Sequence, residues 1–503
     1  MSLPEIPQRP AHTLLAVRWM AILRRLNKPV YALAIVAAIA GGVRFYGLAT
    51  PNERVFDEVY YSKDGCLYAG YSWKECAIKS SDEKYWVRER DEVGSWVHPP
   101  MGKWMIAIGE RLFGPNAFGW RFSAAVFGTA TVVFTAAIAL LLLKSALWTF
   151  VTGLLAATEN LSFVQSRVAL LDIFLAFWVV LGFFFLVLDR RWIHIRAVAD
   201  REKRKESEEE PLSPEPDTPG ERPGVPAPLW RPWRFAAGAA FGGACATKWS
   251  GAYALAGALI LTLLWERTRR SNAGVGHPIG NTALHEAAGV VLALVLLPVV
   301  VYLGSYFRFW LEHGIHPSQF WALQNAMEDF HTTLSRVKDN GDLTHPYESQ
   351  PWTWFFVARP VNFYFKGAGG EILDMGNPAI FWGSIAAIPY VAYSWWKKRD
   401  PRCGLLTVAV LTQWLPWFLW WDRVQFIFYM TPIVPFMVLA CVYALRDLSD
   451  FQFRDSTVRA FRPVAVGLVV LSVGLFTFFW PVLVGYPLNS EWWHARIWFP
   501  SWY

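Results

Sequence analysis

The sequence predicts an all-α polytopic membrane protein, and three observations support this fold class. The chain of 503 residues is 54% hydrophobic with a mean hydropathy of +0.25, so it has more apolar surface than one soluble core can bury. It contains 29 Trp and 36 Phe, and Trp favours the interface between membrane and water. Apolar runs of span length recur along most of the chain, which indicates many membrane crossings.

Eleven apolar runs are candidate membrane spans, since a span needs about 20 residues. They fall near residues 30–48, 117–143, 146–163, 168–188, 234–249, 250–265, 287–309, 378–396, 403–421, 424–445 and 463–485. The first run follows a basic segment and has no small-residue cleavage site that outweighs its length. It therefore predicts a signal anchor with the amino-terminal segment 1–28 in the cytoplasm.

The basic segments between the spans support one orientation. With eleven spans they all fall on the cytoplasmic side, as the positive-inside rule requires; they are Lys144, 189–234, 267–270, 397–399 and 446–462. An odd number of spans places the Trp-rich tail 486–503 outside the cytosol. The net charge of +7 is then explained by loops facing an anionic membrane, and no nucleic-acid partner is expected.

Three segments between the spans are long. The cytoplasmic loop 189–233 mixes charge runs with a Pro-rich stretch, which predicts a disordered linker. The outer segments 50–116 and 311–377 are the remaining places for soluble chemistry. The sequence shows no Walker pattern, no Gly-rich nucleotide loop and no zinc-ligand spacing. These absences disfavour a soluble nucleotide donor and a structural metal, and they point to a lipid-borne substrate.

An acidic pair, Asp57 and Glu58, follows the first span closely. A carboxylate at a membrane boundary has a raised affinity for protons and is costly unless it contacts water, a cation or a substrate. The pair is therefore a candidate for a general base that acts on a lipid-borne substrate. The alternative is that it caps the following interfacial helix or solvates a loop.

Cationic candidates share the first outer segment with this pair. His98 begins a His-Pro-Pro-Met-Gly-Lys run that ends at Lys103, and Arg121 lies at the mouth of the second predicted span. A guanidinium fits phosphate oxygens and an ammonium adds point charge, so Arg121 and Lys103 can hold a phosphate leaving group. Alternatively, both are interface anchors that extend toward the headgroups.

Four more charged residues lie in apolar runs, where exposure to lipid would be expensive. We interpret Arg167 and Asp172 as a structural ion pair or the wall of a cavity. Lys248 is a candidate for the donor site. For Arg423, the simplest explanation is that it pairs with another buried charge.

The chain resembles the protein O-mannosyltransferase family in a series of short blocks that occur in the family's order. The first are Phe-Asp-Glu-Val-Tyr-Tyr, His-Pro-Pro-Met-Gly-Lys and Arg-Phe-Ser-Ala. Later blocks start at Glu159, Lys248, His345, Gly376 and Gln425. The resemblance covers the chain from the first span to the tenth, without the amino terminus, the 189–233 loop and the tail.

The resemblance implies a GT-C glycosyltransferase whose transmembrane catalytic domain is 29–485. Such an enzyme moves mannose from polyprenyl phosphate mannose to Ser or Thr hydroxyls of proteins, with inversion at the anomeric carbon. A Ser hydroxyl is a poor nucleophile, so a carboxylate must take its proton; Asp57 is the candidate. Glu58 would orient a substrate or keep Asp57 ionised. Arg121, Lys103, His98 and Lys248 are the candidates for binding the donor.

The block from His345 to Trp354 is a candidate lid or acceptor guide. Its aromatic and imidazole side chains are His345, Tyr347, Trp352 and Trp354, and the alternative is that they anchor the loop at the membrane. No carboxylate cage for a divalent cation is apparent, so we expect transfer without a metal or other cofactor. Cys66 and Cys76 share an outer segment, where oxidising conditions permit a disulfide between them.

One departure from the eukaryotic members is informative: segment 311–377 is too short for their β-trefoil domain. The resemblance therefore implies a bacterial, actinobacterial-type member in the plasma membrane, with its site facing outward, secretory proteins as acceptors and the Sec translocon as a plausible partner. A lipid-phosphate-sugar transferase that acts on a cell-wall glycan or lipid is the alternative function. A lipid-carrier transporter is a weaker one, because no internal repeat is visible.

Overall fold

The computed structural model of the protein describes residues 28–77, 97–208, 228–338, 341–367, 370–452 and 461–502. The predicted segment 1–28 lies outside these residues except for Lys28. Five helices in the described part are long and apolar enough to cross a membrane, judged by length and composition. They cover Ala117–Leu143, Asp172–Ala199, Pro278–Ser305, Pro401–Trp420 and Arg462–Val484.

The helices of the first half begin with α1 (Pro29–Phe45), α2 (Glu58–Tyr68), α3 (Trp73–Cys76), α4 (Met101–Phe113) and α5 (Ala117–Leu143). They continue with α6 (Ala146–Ala157), α7 (Asn160–Gln165), α8 (Asp172–Glu208), α9 (Pro232–Thr247) and α10 (Gly251–Asn272). Next comes α11 (Pro278–Val291), which runs through a π-helical turn, Leu292–Leu296, into α12 (Leu297–Ser305). Pro298 follows this turn, and a proline removes a backbone donor from the helical ladder.

The second half contains α13 (Phe307–His313), α14 (Pro317–Thr333), α15 (Pro378–Lys398) and α16 (Pro401–Trp414). It ends with α17 (Val434–Asp450), α18 (Arg462–Val484) and α19 (Ser490–His494). Short 3₁₀ helices cover Pro351–Phe356, Leu415–Trp420, Ile427–Met430 and Pro500–Trp502. A helix lies at each of the eleven predicted span positions, and the apolar faces of these helices form one core.

Three features differ from the sequence prediction. The helix expected at 424–445 begins only at Val434, because residues 422–433 form turns and the short 3₁₀ helix Ile427–Met430 beside the candidate site. The span expected at 146–163 ends at Ala157, since Glu159 accepts hydrogen bonds from the Leu161 and Ser162 amides and starts a new short helix. The described part is also not purely helical: β1 (Val361–Phe365) pairs antiparallel with β2 (Glu371–Asp374) in the second outer segment.

The prediction of a disordered loop over 189–233 is wrong at both of its ends. Helix α8 continues to Glu208, and at the other end of the predicted loop Pro232 begins helix α9. The buried carboxylate of Asp189 accepts two hydrogen bonds from Arg231, at 2.9 and 2.6 Å. This ion pair fastens the ends of the loop together, whereas residues 209–227 lie outside the described part.

Candidate functional site

Asp57 and Glu58 are adjacent in sequence but have opposite environments. Asp57 precedes the first turn of α2, is half-buried, and makes no side-chain capping hydrogen bond. Its carboxylate has no hydrogen bond or ion pair within the described part of the chain. Burial raises the pKa of Asp57 to about 6, although the charge of Lys248 opposes this effect. Asp57 is thus an unsatisfied carboxylate that is ionised at pH 7 and ready to accept a proton.

Glu58 is fully buried, and both of its oxygens are occupied. Oε1 accepts from Arg121 Nε at 2.8 Å and from the Ala169 amide at 2.9 Å. Oε2 accepts from Arg121 Nη2 at 2.8 Å and from the Val55 amide at 3.0 Å. The expectation that Glu58 orients a substrate is therefore corrected: with four donors bound and no exposed surface, it fixes the segment that carries Asp57.

Arg121 is the other half of that buried pair. Besides Glu58, its guanidinium donates to the carbonyl oxygens of Leu48, Pro51 and Glu53, at 3.3, 2.8 and 2.8 Å. These contacts use all three of its nitrogens, and the residue is 0% exposed. The expectation that Arg121 binds the donor phosphate is corrected for this reason. It holds the turn between α1 and α2 in place.

Two other expectations also change. Lys103 is 2% exposed, and its Nζ lies 3.2 Å from Asp64 Oδ2 on α2, so the structure commits its ammonium to a buried ion pair instead of a phosphate. Arg167 does not pair with Asp172: its Nη1 donates to the Arg44 and Tyr46 carbonyls at the end of α1. Both cations connect helices.

Lys248 and Asp172 lie on the Asp57 side of the site. Lys248 Nζ is 2.9 and 3.1 Å from the two oxygens of Asp172, which joins the end of α9 to the start of α8. The same ammonium is 5.0 Å from the centre of the Tyr429 ring and 5.8 Å from that of Phe428. The charges of Lys248 and Asp172 both act on Asp57. The structure therefore brings the predicted donor-site lysine to the predicted base.

Two histidines extend the site toward the second outer segment. The His98 and His331 ring centres are 5.0 Å apart, and His98 is 6.2 Å from Tyr61 on α2. Burial, with help from the charge of Lys248, holds the pKa of His98 well below its usual value. Burial and the neighbouring Arg423 lower the pKa of His331 to about 4. Both rings are therefore neutral at pH 7.

Arg423 forms a hydrogen bond with one of these neutral rings, that of His331. Its Nη2 lies 2.7 Å from His331 Nδ1, while His331 Nε2 is 2.9 Å from the Val97 carbonyl oxygen. A carbonyl only accepts and a guanidinium only donates, so the proton of His331 is on Nε2 and Nδ1 accepts from Arg423. Arg423 has no carboxylate partner within the described residues, and its buried Nε has no partner there. It keeps an uncompensated positive charge beside the site.

The block from His345 to Trp354 divides into two parts. The rings of His345 and Phe56 are 6.2 Å apart, and those of His345 and Tyr347 are 5.7 Å apart, so this half packs beside Phe56, the residue that precedes Asp57. Trp352 is 54% exposed and remains available to a ligand. Trp354 is 0% exposed and donates to Ser349. The prediction that Trp354 is part of a lid is therefore wrong.

The first outer segment is fastened around the site by further contacts. A disulfide joins Cys66, near the end of α2, to Cys76 in α3. Arg54 donates to Ser62 Oγ at 2.6 Å and to the Cys76 carbonyl at 2.8 Å.

Within the described residues, no group of three or more His, Cys, Asp or Glu side chains is arranged to hold a metal ion.

Sequence reasoning missed His331 as a site residue and left Arg423 without a role. His331 is a single histidine in a polar helix, and 92 residues separate it from Arg423. One signal was present: Arg423 lies two residues before the start of the Gln425–Met430 block, whose aromatic residues contact Lys248. A cation beside an aromatic block that reaches the site is a reasonable candidate for ligand binding.

Comparisons with known proteins agree on one family. Residues 34–196 match the family described as dolichyl-phosphate-mannose-protein mannosyltransferase, and residues 317–502 match the C-terminal four-transmembrane region of protein O-mannosyltransferase. The polyprenol-phosphate-mannose–protein mannosyltransferase of Mycolicibacterium smegmatis is 33% identical, over 93% of this chain and 92% of the relative. The enzyme of that name from Corynebacterium glutamicum is 28% identical, over 94% and 93%.

Solved structures show the same fold. The Saccharomyces cerevisiae Pmt1-Pmt2 complex bound to the sugar donor superposes with a TM-score of 0.70 at 14% identity, over 94% of this chain and 92% of that one. ArnT from Cupriavidus metallidurans bound to undecaprenyl phosphate superposes with a TM-score of 0.54, also at 14% identity, over 90% and 77%. The fold is that of the GT-C glycosyltransferases.

Proposed function

The chain belongs to the protein O-mannosyltransferase family, and from this premise we propose that it transfers mannose from polyprenyl phosphate mannose to protein hydroxyl groups, with Asp57 as the general base. The family resemblance in the sequence is thereby confirmed. The observation that carries the assignment of the base is the contrast at the acidic pair: Glu58 accepts four hydrogen bonds, whereas the half-buried Asp57 carboxylate is unpaired within the described residues. A base must have its lone pairs free for the incoming proton.

The proton and the leaving group go in different directions. Asp57 takes the proton of a Ser or Thr hydroxyl as its oxygen bonds to the anomeric carbon of mannose, and attack opposite the leaving group inverts that carbon. The bond from the anomeric carbon to the phosphate oxygen breaks, and the polyprenyl phosphate keeps the electron pair. Arg423 and Lys248 supply positive charge for this phosphate, which is the role that the sequence analysis predicts for Arg121 and Lys103.

The neutral histidines and aromatic residues position these groups. His331 fixes one Nη of Arg423 and leaves the rest of the guanidinium for phosphate oxygens. His98 lies between His331 and Tyr61 and shapes the wall of the donor pocket. His345 and Tyr347 lie where an acceptor peptide can approach Asp57, and the exposed Trp352 belongs to the same block. These cationic donors supply the electrostatic stabilisation, so the proposed reaction needs no metal ion.

The proposed topology follows the sequence. The chain is a multi-pass membrane protein by its family and its apolar helices. Eleven crossings from a cytoplasmic amino terminus place both outer segments, and with them Asp57, on the extracytoplasmic side of the plasma membrane. Unfolded secretory proteins emerging from the Sec translocon are the acceptors that this position favours, because their Ser and Thr side chains are still accessible.

Transfer to a peptide in nanodiscs tests the proposal. The purified protein receives radiolabelled polyprenyl phosphate mannose and a Ser/Thr-rich peptide, with and without EDTA. Wild type should label the peptide in both conditions, Asp57→Asn should not, and Asp329→Asn should behave as wild type because Asp329 is exposed on α14. Label in a lipid or glycan but not in the peptide would overturn the acceptor class, and full activity of Asp57→Asn would overturn the base. Loss of labelling with EDTA would overturn metal independence.

A further inference from the structure

A second cavity lies away from the charged site. It has a volume of about 510 Å³ and opens between α6, α15, α17 and α18. Its wall is mostly apolar and includes the small residues Ala379, Gly383, Ala386, Ala387 and Ala444. Because α15 and α17 present small side chains here, their packing leaves a slot instead of a closed interface.

The slot has one polar end. Tyr390 Oη donates to Asp447 Oδ2 at 2.8 Å, and both residues line the cavity. Lys398 Nζ lies 3.6 Å from the same carboxylate and is 57% exposed on its side chain. The ends of α15 and α17 add further basic residues, which are Lys397, Arg399 and Arg446. Together with Lys398, these basic residues number four and exceed by one the acidic residues at the same helix ends, which are Asp400, Asp447 and Asp450.

We propose that this slot binds one hydrocarbon chain of an anionic phospholipid, with the headgroup at Lys398. The apolar part of the slot does not hold ordered water, because water needs two or more polar partners. Its volume is within the range of about 300–1,000 Å³ that is common for ligand sites, and the surrounding helices lie in a membrane, where lipid chains are the abundant apolar ligand. Basic residues at the cytoplasmic ends of such helices select anionic headgroups.

The other end of the slot lies near Asn377, which connects helices beside the candidate site. Ala379 follows Asn377, whose Nδ2 donates to the Ser472 carbonyl on α18 at 2.9 Å and to the Thr158 carbonyl at 3.1 Å. Asn377 in turn follows β2. A bound chain therefore fills the space between the three elements that Asn377 connects. The lipid should stabilise the folded protein, and this expectation is independent of which sugar or acceptor the enzyme uses.

Native mass spectrometry of the protein released from nanodiscs tests the proposal. Wild type should retain one phospholipid molecule. Gly383→Leu should lose it, because a Cβ at Gly383 would meet only Cys441 Sγ, at 3.9 Å, so that the larger side chain can grow into the slot. The matched control is Gly474→Leu, at an exposed position of α18 with nothing within 4 Å of the new Cβ. It should retain the lipid as wild type does.

The headgroup is tested by thermal unfolding in defined lipids. Anionic phospholipid should raise the wild-type Tm by several degrees relative to zwitterionic lipid with the same chains, and Lys398→Gln should remove most of this difference. The proposal fails if wild type retains no lipid, or if Gly383→Leu and wild type retain it equally. It also fails if the retained molecule is a polyprenyl phosphate, or if Gly383→Leu instead dissociates a second copy of the chain.

Discussion

Helix α9 is joined to α8 by an ion pair at each end of α9, and these two ends differ. At one end Lys248 binds Asp172, and at the other Arg231 binds Asp189. The Arg231 end belongs to a group of four arginines and three carboxylates that are buried together, namely Asp189, Arg231, Arg234, Glu266, Arg269, Arg270 and Glu286. We call this group the arginine cluster. The Lys248 end instead faces Asp57, His98 and Arg423.

The difference lies in how completely the charges are compensated. Arg231 donates to Asp189 twice and to Glu266 at 2.6 Å, and its neighbour Arg234 donates to Glu286 at 2.8 Å. Around Lys248, by contrast, Asp57 has no partner and Arg423 has only a neutral imidazole among the described residues. Charged groups that are paired with one another hold helices together. Charged groups without an oppositely charged partner, beside a solvent-accessible carboxylate, are available to a substrate.

The largest expected effect is on stability, at the arginine cluster. Arg231→Gln leaves Asp189 and Glu266 buried with too few donors, which should lower the free energy of unfolding by about 3–5 kcal/mol. Thermal unfolding in detergent or nanodiscs measures this loss. The protein that remains folded should keep the wild-type kcat, because the whole length of α9 separates Arg231 from Lys248. The matched control, Lys144→Gln at an exposed position, should change neither quantity. A fall in kcat with unchanged stability would contradict the structural assignment.

Lys248→Gln is the corresponding substitution at the other end of α9. The amide can still donate to Asp172, but the positive charge beside the leaving phosphate is lost. Removing one electrostatic donor of this type typically lowers kcat about 10²–10³-fold, or about 2.7–4 kcal/mol. Single-turnover transfer to a peptide measures the loss, and thermal unfolding serves as the control. If Lys248→Gln reduced stability as strongly as Arg231→Gln and left kcat intact, the two ends would be equivalent and the comparison would fail.

The same contrast explains which site residues the sequence could predict. Asp57 was predictable because two adjacent carboxylates at a span boundary are unusual, but the division of roles with Glu58 was not. That division depends on Arg121 and the Ala169 amide, which come from elements 63 and 111 residues away. Arg121 was assigned to phosphate because a sequence cannot show that the Leu48, Pro51 and Glu53 carbonyls converge on it.

The fold was predicted more completely than the site, since hydrophobic length alone places helices at all eleven positions. The exceptions have local causes. Residues 422–433 are apolar enough to resemble part of a span, but they form turns because their aromatic rings pack around Lys248 and Trp354. The β1–β2 pair is short, and alternation in Val-Asn-Phe-Tyr-Phe is too brief to distinguish a strand from an aromatic loop.

The pH dependence of transfer sharpens the assignment of the base. Burial raises the pKa of Asp57 to about 6, and only the ionised carboxylate accepts the hydroxyl proton. We expect kcat/KM to be constant above this pH and to fall about tenfold for each unit below it, or about 1.4 kcal/mol per unit. His98 and His331 stay neutral through this range, because their pKa values are lowered. They should therefore add no second inflection near pH 6.5.

The profile is measured with the free peptide in nanodiscs of zwitterionic lipid, so that the membrane surface does not titrate. Asp329→Asn is again the control and should show the wild-type inflection. An unchanged rate down to pH 4 would exclude Asp57 as the base. An inflection near 6.5 that disappears in His98→Gln would instead assign the titration to a histidine.

The smallest expected effect concerns the hydrogen bond from Arg423 to His331, which orients the guanidinium. His331→Leu removes the acceptor of the Arg423 Nη2 proton and the donor to the Val97 carbonyl, so the guanidinium loses its fixed direction but keeps its charge. A lost hydrogen bond to a charged group is worth about 1.5–3 kcal/mol at most, and part of it is recovered by water in this half-buried position. We expect the KM for the lipid donor to rise about fivefold, with the KM for the peptide unchanged. His331→Gln, which can both accept and donate, should restore most of the donor affinity. A general loss of stability in His331→Leu, with both KM values altered together, would mean that His331 only packs between the outer segments and that Arg423 does not meet the donor phosphate.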